Sequence, residues 1–123
     1  MRMKKILLVD DSSTSLMHNR MILAKGAWEI ITARDGQQAV AMASQEKPDL
    51  IVMDVMMPNL DGFGALRLLR GSEQTRGVPV IMVTTRSEAD HIERGYETGC
   101  SDYVTKPVNG AELLAKVRNH LGE

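Results

Sequence analysis

Four short runs of almost continuously apolar residues constrain the fold of this chain more than any other feature. They occupy residues 6–9, 28–31, 50–53 and 78–83. Apolar runs of this length, without alternating polar residues, are typical of strands that are covered on both faces of a parallel sheet. A weaker candidate at residues 102–105 continues the same rhythm, and we count it as a fifth strand.

The stretches between these runs carry apolar residues at the three- and four-residue spacing of amphipathic helices. These positions are Leu16, Met17, Met21 and Ala24, then Ala39, Val40 and Ala43, then Phe63, Leu66 and Leu69, and finally Leu113, Leu114, Val117 and Leu121. The stretch 88–97 is mostly polar, which predicts a fourth helix that is only lightly packed. The predicted helix caps are Ser12, Ser87 and Asn109, and the predicted helix ends are Gly26, Gly71, Gly77 and Gly99.

This alternation of strands and helices predicts an α/β fold, with a doubly wound parallel sheet and helices on both faces. We expect a single domain over residues 1–123. With 15 Lys and Arg against 16 Asp and Glu, the chain lacks the basic surface of a protein that binds nucleic acid directly. The only cysteine, Cys100, cannot form an internal disulfide, and residues 6–9 are too few for a signal peptide or a membrane span. These features favour a cytoplasmic protein without membrane insertion.

Several predicted strands end in polar residues, at the edge where parallel strands bring their carboxyl ends together. These residues are Asp10 and Asp11, Asp54, Thr84 and Thr85, and Thr105, Lys106 and Pro107. Two crowded carboxylates repel each other by about 4 kcal/mol at about 4 Å and an effective dielectric constant of about 20. A cation is therefore needed beside them. An all-oxygen set of ligands suits Mg²⁺, and Lys106 supplies a second positive charge.

The histidines do not follow the predicted strands. They are His18, His91 and His120, and two of the three fall in predicted helices. We therefore expect surface groups rather than a catalytic imidazole or a zinc ligand.

Four motifs along the chain resemble the receiver domain of bacterial two-component response regulators. They are Leu8-Val9-Asp10-Asp11, Met53-Asp54-Val-Met-Met-Pro58 with Asp61-Gly62 following, Thr84-Thr85, and Tyr103-Val-Thr-Lys106-Pro107. The resemblance covers the whole chain. It implies the flavodoxin-like strand order 2-1-3-4-5 and a signalling domain that catalyses only its own phosphorylation and dephosphorylation.

The resemblance also implies a role for each site residue. Asp54 would take a phosphoryl group from a sensor histidine kinase or a histidine phosphotransfer domain. The implied Mg²⁺ ligands are Asp10, Asp11, Asp54 and the backbone carbonyl of Met56. The phosphoryl oxygens would be stabilised by Lys106 and by the hydroxyl of Thr84.

Thr84 and Tyr103 are the implied switch pair. Movement of Thr84 toward the phosphoryl group would let the Tyr103 ring turn inward. That change would repack the face made by the fourth helix, the fifth strand and the fifth helix, which a downstream protein partner would bind. The oligomeric state is left open.

Three residues near the site depart from the family's usual pattern or tune its chemistry. Thr85 is β-branched where the family commonly has a small residue, so it is predicted to restrict access. Met56 and Arg86 occupy positions that govern how readily water attacks the acyl phosphate in this family. An apolar Met56 and a long Arg86 predict slow hydrolysis.

Three other functions were weighed against this one. A haloacid-dehalogenase-type phosphatase needs a second aspartate where this chain has Met56. In a flavodoxin-like flavin binder, residues 12–15 would hold phosphate, but Asp10 and Asp11 would repel it and an aromatic content of 3% leaves few rings for a flavin. A receiver-like interaction module that is never phosphorylated stays open as the alternative.

Overall fold

The computed structural model of the chain describes residues 2–85 and 89–123. Its strands are β1 (Lys5–Val9), β2 (Glu29–Ala33), β3 (Leu50–Asp54), β4 (Val80–Thr84) and β5 (Asp102–Thr105). Its helices are α1 (Ser13–Leu23), α2 (Gly36–Glu46), α3 (Gly62–Arg70), α4 (Ala89–Thr98) and α5 (Gly110–Leu121). Strand and helix alternate along the chain, as the apolar runs predicted.

The five strands form one parallel sheet in the order β2-β1-β3-β4-β5, which confirms the predicted fold class. The fourth strand begins later than predicted, at Val80. Val78 instead belongs to the turn after α3, because its backbone N–H donates to the carbonyl of Thr75 at 3.1 Å. Pro79 then separates that turn from the strand, and its carbonyl accepts from the N–H of Ile51 at 2.9 Å.

Alternate side chains of the central strands point to opposite faces of the sheet. In β1, Leu7 and Val9 belong to a core with residues of α2 and α3, whereas Ile6 and Leu8 belong to a core with residues of α1 and α5. α4 packs against α3 and β5. Both faces of the sheet are therefore covered, which explains why the strands are apolar throughout.

The helix caps agree with the sequence in part. Ser12 and Asn109 cap α1 and α5 as predicted, since their side chains accept from Ser15 N–H and Glu112 N–H. Asp35 and Asp61 cap α2 and α3 in the same way, which the sequence analysis did not predict. Ser87 lies outside the described residues.

The predicted helix ends differ in outcome. Gly71 is the C-cap of α3, and Gly99 follows the last residue of α4 at a φ of 112°. Gly26 lies two residues past Ala24, the C-cap of α1. Gly77 ends no helix, and this prediction was wrong, because α3 already stops at Arg70 and a turn fills the segment before β4.

The two ends of the described chain meet at the amino end of the sheet. Lys4 precedes β1, and its ammonium lies 3.3 Å from a carboxylate oxygen of Glu123. The indole N–H of Trp28, which precedes β2, donates to the same oxygen at 3.3 Å. No helix within 2–85 and 89–123 is both long enough and apolar enough to cross a membrane.

Candidate functional site

The carboxyl edge of the sheet brings residues from three strands together. Asp10 follows β1, Asp54 ends β3 and Lys106 follows β5. The backbone holds each of them in register: Asp10 N–H donates to the carbonyl of Ala33, and Lys106 N–H donates to the carbonyl of Thr84. The side chains of Asp10 and Asp54 are buried, with 1% and 5% of each residue exposed.

Lys106 lies between the two buried carboxylates. Its Nζ is 3.1 Å from Oδ2 of Asp54 and 3.3 Å from Oδ2 of Asp10. Asp11 is exposed, yet it offers a carboxylate oxygen within 4.8 Å of those of Asp10 and Asp54. Among the described residues, Lys106 thus pairs with two carboxylates while a third lies close to them, so these four side chains carry excess negative charge.

The pKa values at this edge follow from the imbalance. Burial raises the pKa of Asp54, and the negative charge of Asp10 raises it further; Lys106 and the backbone N–H of Met56 offset only part of this. For Lys106, burial alone would lower the pKa, but the attraction of Asp54 and then of Asp10 outweighs it and the pKa is raised. Lys106 is therefore stabilised in its protonated form, whereas the surroundings of Asp54 disfavour its charged form.

An oxygen-liganded cation would relieve this repulsion. Hard divalent cations are held by carboxylate oxygens, and Mg²⁺ needs only one or two of them beside waters and carbonyls. The three clustered carboxylates, two of them buried beside a single ammonium, match that requirement. The donor set thus fits the expected metal.

The other predicted site residues surround this cluster. Thr84 ends β4 and is buried, Thr85 is exposed, and the Lys106–Pro107 peptide bond is cis. Met56 follows the site with 64% of its surface exposed. Arg86 lies outside the described residues.

Tyr103 is half-buried in the middle of the face formed by α4, β5 and α5. Its ring meets that of Tyr96 edge to face, with centroids 6.0 Å apart. The ammonium of Lys116 lies 5.0 Å from the centre of the Tyr103 ring and donates to the Tyr103 carbonyl at 2.6 Å. Tyr103 therefore has partners on both neighbouring helices.

Gly62 lies beside the site, and the sequence analysis did not assign it a structural role. A Cβ at Gly62 would lie 2.4 Å from the carbonyl oxygen of Asp54, so only glycine lets α3 start this close to β3. The one indication in the sequence was that Gly62 belongs to the Asp61-Gly62 motif.

The histidines were expected to be surface groups, with two of them in helices; the structure places all three in helices. His18 is exposed, but His91 is half-buried and lies 3.4 Å from the Thr84 hydroxyl, and His120 pairs with Asp102 at 3.1 Å. His91 and His120 thus each face a polar partner on a strand, and helical spacing alone does not reveal such a partner.

A family model for the response regulator receiver domain matches residues 6–118. Among curated proteins, PilH of Pseudomonas aeruginosa is 41% identical over 115 residues, which cover 94% of this chain and 95% of PilH. The response regulator PleD of Caulobacter vibrioides is 39% identical over 115 residues, but the match covers 94% of this chain and only 25% of PleD.

Solved structures of related proteins have the same fold. The receiver domain of the sensor histidine kinase PA1611 from Pseudomonas aeruginosa has a TM-score of 0.91 at 32% identity, covering 99% of this chain and 100% of that one. That structure has a magnesium ion coordinated in its active site cleft. The chemotaxis protein CheY4 of Vibrio cholerae has a TM-score of 0.89 at 31% identity, covering 96% and 98% of the two chains.

Proposed function

The chain belongs to the response regulator receiver domain family, whose members are phosphoacceptor signalling modules, and we propose that Asp54 is its phosphoacceptor. One observation carries the assignment: Asp54 is a buried carboxylate at the end of β3, with an ammonium on one side and a second buried carboxylate near it. A carboxylate oxygen of Asp54 would attack the phosphorus of a phosphohistidine. The P–N bond breaks, the imidazole leaves and takes up a proton, and an aspartyl phosphate remains.

The proposed donors are a sensor histidine kinase or a histidine phosphotransfer domain. A small phosphodonor such as acetyl phosphate would serve as well, because the groups that stabilise the reaction belong to this chain. The domain would thus catalyse its own phosphorylation and dephosphorylation and act on no other substrate. We place this chemistry in the cytoplasm.

The proposed metal is Mg²⁺, held by Asp10, Asp11, Asp54 and the backbone carbonyl of Met56. When bound, Mg²⁺ neutralises charge on the attacking carboxylate and on the phosphoryl oxygens. Asp10 and Asp11 would hold the ion from β1, opposite Lys106. The excess of carboxylates over ammonium groups at this edge supports that role.

Lys106 and Thr84 would stabilise the charge that spreads over the phosphoryl oxygens. Lys106 keeps its proton, since its pKa is raised, and its Nζ already lies 3.1 Å from Asp54. Thr84 ends the neighbouring strand and has a hydroxyl proton to donate. Positioned donors of this kind supply most of the catalysis in phosphoryl transfer.

Signal output is proposed to run through Thr84 and Tyr103. When the Thr84 hydroxyl turns to the phosphoryl group, the Tyr103 ring would turn inward and leave its contact with Tyr96. The face of α4, β5 and α5 would then present a different surface to a downstream protein. The contacts of Tyr103 with both helices support its choice as the moving residue.

The lifetime of the phosphoryl group is proposed to depend on Met56, Thr85 and Arg86. Met56 is exposed and follows Asp54 by two residues, so its apolar side chain is placed to exclude water. We expect Met56→Asn combined with Arg86→Glu to speed hydrolysis of the Mg²⁺-bound phosphoprotein. An unchanged rate of phosphate release would contradict this role.

The decisive experiment is incubation with acetyl phosphate and Mg²⁺, followed by intact mass and by mapping of the modified peptide. We expect one added phosphoryl group on the wild type, none on Asp54→Asn, and one on the control Asp102→Asn, which changes a carboxylate outside the site. Omission of Mg²⁺ should abolish the addition. Trp28 is a poor reporter, because it lies at the opposite end of the sheet.

A wild type that takes up no phosphoryl group, from acetyl phosphate or from a phosphorylated histidine phosphotransfer domain, would favour the alternative of an unphosphorylated interaction module. A phosphoryl group on any other residue would contradict the assignment of Asp54.

A further inference from the structure

We propose that His91 is a positioning residue of the switch, which holds the Thr84 hydroxyl in the unphosphorylated arrangement and releases it on phosphorylation. The inference rests on the proposed function. Its basis is a contact between the two elements that must move apart: Nδ1 of His91, on α4, lies 3.4 Å from Oγ1 of Thr84, at the end of β4.

The His91 ring is fixed by its surroundings. It meets the ring of Phe63 edge to face, with centroids 5.7 Å apart and planes at 77°. Phe63 is buried in α3, and the guanidinium of Arg94 lies 4.4 Å from the centre of its ring. Because Phe63 belongs to α3, this contact braces the imidazole from a second helix, beside the Thr84 hydroxyl.

The same packing connects His91 to the phosphoacceptor strand. Phe63 directly follows Gly62, the residue whose missing Cβ lets α3 approach the Asp54 carbonyl. The chain of contacts therefore runs from β3 through the start of α3 to the ring of His91. The His91 ring thus lies between Thr84 and the helix that begins beside Asp54.

Competition for one proton makes the contact a switch. In the tautomer that carries its proton on Nε2, the imidazole accepts at Nδ1 from the Thr84 hydroxyl. That hydroxyl has a single proton, so it cannot also donate to a phosphoryl oxygen. A charged phosphoryl group is the stronger acceptor, and phosphorylation would therefore free His91 and loosen α4 from β4.

The test compares one substitution that keeps the aromatic ring with one that keeps the hydrogen-bond acceptor. His91→Phe keeps an aromatic ring against Phe63 but removes the acceptor, whereas His91→Asn places an amide oxygen near the position of Nδ1. We expect His91→Phe to bind beryllofluoride, a mimic of the phosphoryl group, about 2- to 10-fold more tightly in Mg²⁺, as loss of one net hydrogen bond in the free state predicts. His91→Asn should stay within about 2-fold of wild type. Fluorine NMR titration measures both.

A second pair separates positioning from packing. In a Thr84→Val background the hydroxyl is gone, so His91→Phe should no longer change beryllofluoride affinity. A change that persists there would come from altered packing and would overturn the inference. If the Phe variant does not fold by circular dichroism, His91→Leu replaces it in both backgrounds.

The remaining outcomes are also distinct. Equal or weaker binding by His91→Phe, with normal binding by wild type, would overturn this inference and leave the proposed function intact. Failure of the wild type to bind beryllofluoride in Mg²⁺ would overturn both.

Discussion

Two clusters of charged side chains lie at opposite ends of β5 and differ in their balance of charge. In the site cluster, Asp10 and Asp54 share the single ammonium of Lys106. In the α5 cluster, Asp102 has two partners, Lys116 at 3.3 Å and His120 at 3.1 Å. Among residues 2–85 and 89–123, the site cluster pairs two carboxylates with one ammonium, whereas the α5 cluster pairs one carboxylate with two basic side chains.

The two clusters shift the pKa of an aspartate in opposite directions. Burial raises the pKa of Asp54, and Asp10 adds to the rise. Burial would also raise the pKa of Asp102, but hydrogen bonds from His120 and the Tyr103 N–H, together with Lys116, outweigh it and the pKa is lowered. The neighbouring charges and hydrogen bonds, more than burial, therefore decide whether the pKa of a carboxyl group is raised or lowered. A carboxylate without enough such partners is stabilised by binding a cation.

The largest expected effect that separates the clusters is stabilisation by Mg²⁺. At a concentration about 100 times its Kd, the ion should raise the free energy of unfolding by about 2.7 kcal/mol, because it binds only the folded chain. Urea unfolding of wild type and Asp102→Asn should show this gain. The gain should vanish in Asp54→Asn, and a full gain in that variant would place the metal elsewhere.

Removal of the lysine from each cluster should give unequal losses. Lys106→Met leaves two buried carboxylates without their ammonium and should lower the free energy of unfolding by about 2 kcal/mol without metal. Lys116→Met leaves Asp102 paired with His120 and should cost about 0.5 kcal/mol. Both are measured by urea unfolding at pH 7, and similar losses would contradict the difference drawn between the clusters.

Replacing one aspartate in each cluster with asparagine should raise the free energy of unfolding in the site cluster and lower it in the α5 cluster. Without metal at pH 7, Asp54→Asn removes a repelled charge and should raise the free energy of unfolding by about 1 kcal/mol. Asp102→Asn removes the carboxylate that pairs with Lys116 and His120 and should lower the free energy of unfolding by about 1 kcal/mol. Thermal unfolding of the two variants beside wild type checks the signs.

The pH dependence of the free energy of unfolding should also differ between the two aspartates, by a smaller amount. The folded pKa of Asp54 lies above its ordinary value of 3.8, so its contribution to stability is full below that value and is lost as the pH rises through the folded pKa. The folded pKa of Asp102 lies below 3.8, so its contribution is full above that value and is lost as the pH falls through the folded pKa. Metal-free unfolding from pH 3 to 7, with each Asn variant as reference, should show these opposite slopes.

The sequence was sufficient for the sheet and for the convergence of Asp10, Asp54 and Lys106. Continuous apolar runs mark strands that are buried on both faces, and parallel strands bring their carboxyl ends to one edge. The start of β4 was harder to predict, because Val78 is apolar but its backbone N–H donates to the Thr75 carbonyl in a turn.

Contacts between elements were beyond the sequence. The Thr84–His91 contact joins a strand end to a helix, and no helical or strand period connects those two positions. Nor did the charge balance of the α5 cluster follow from the sequence, because Lys116 and His120 lie on α5 and meet Asp102 only when the helix packs against β5.

The pairing of Lys4 and Trp28 with Glu123 has a practical consequence for handling the molecule. A tether or dye attached near Lys4 or Glu123 would lie at the amino end of the sheet, at the opposite end from Asp10 and Asp54. The domain could therefore be immobilised on a sensor chip by its amino-end surface, which would leave the carboxyl edge of the sheet accessible to a kinase.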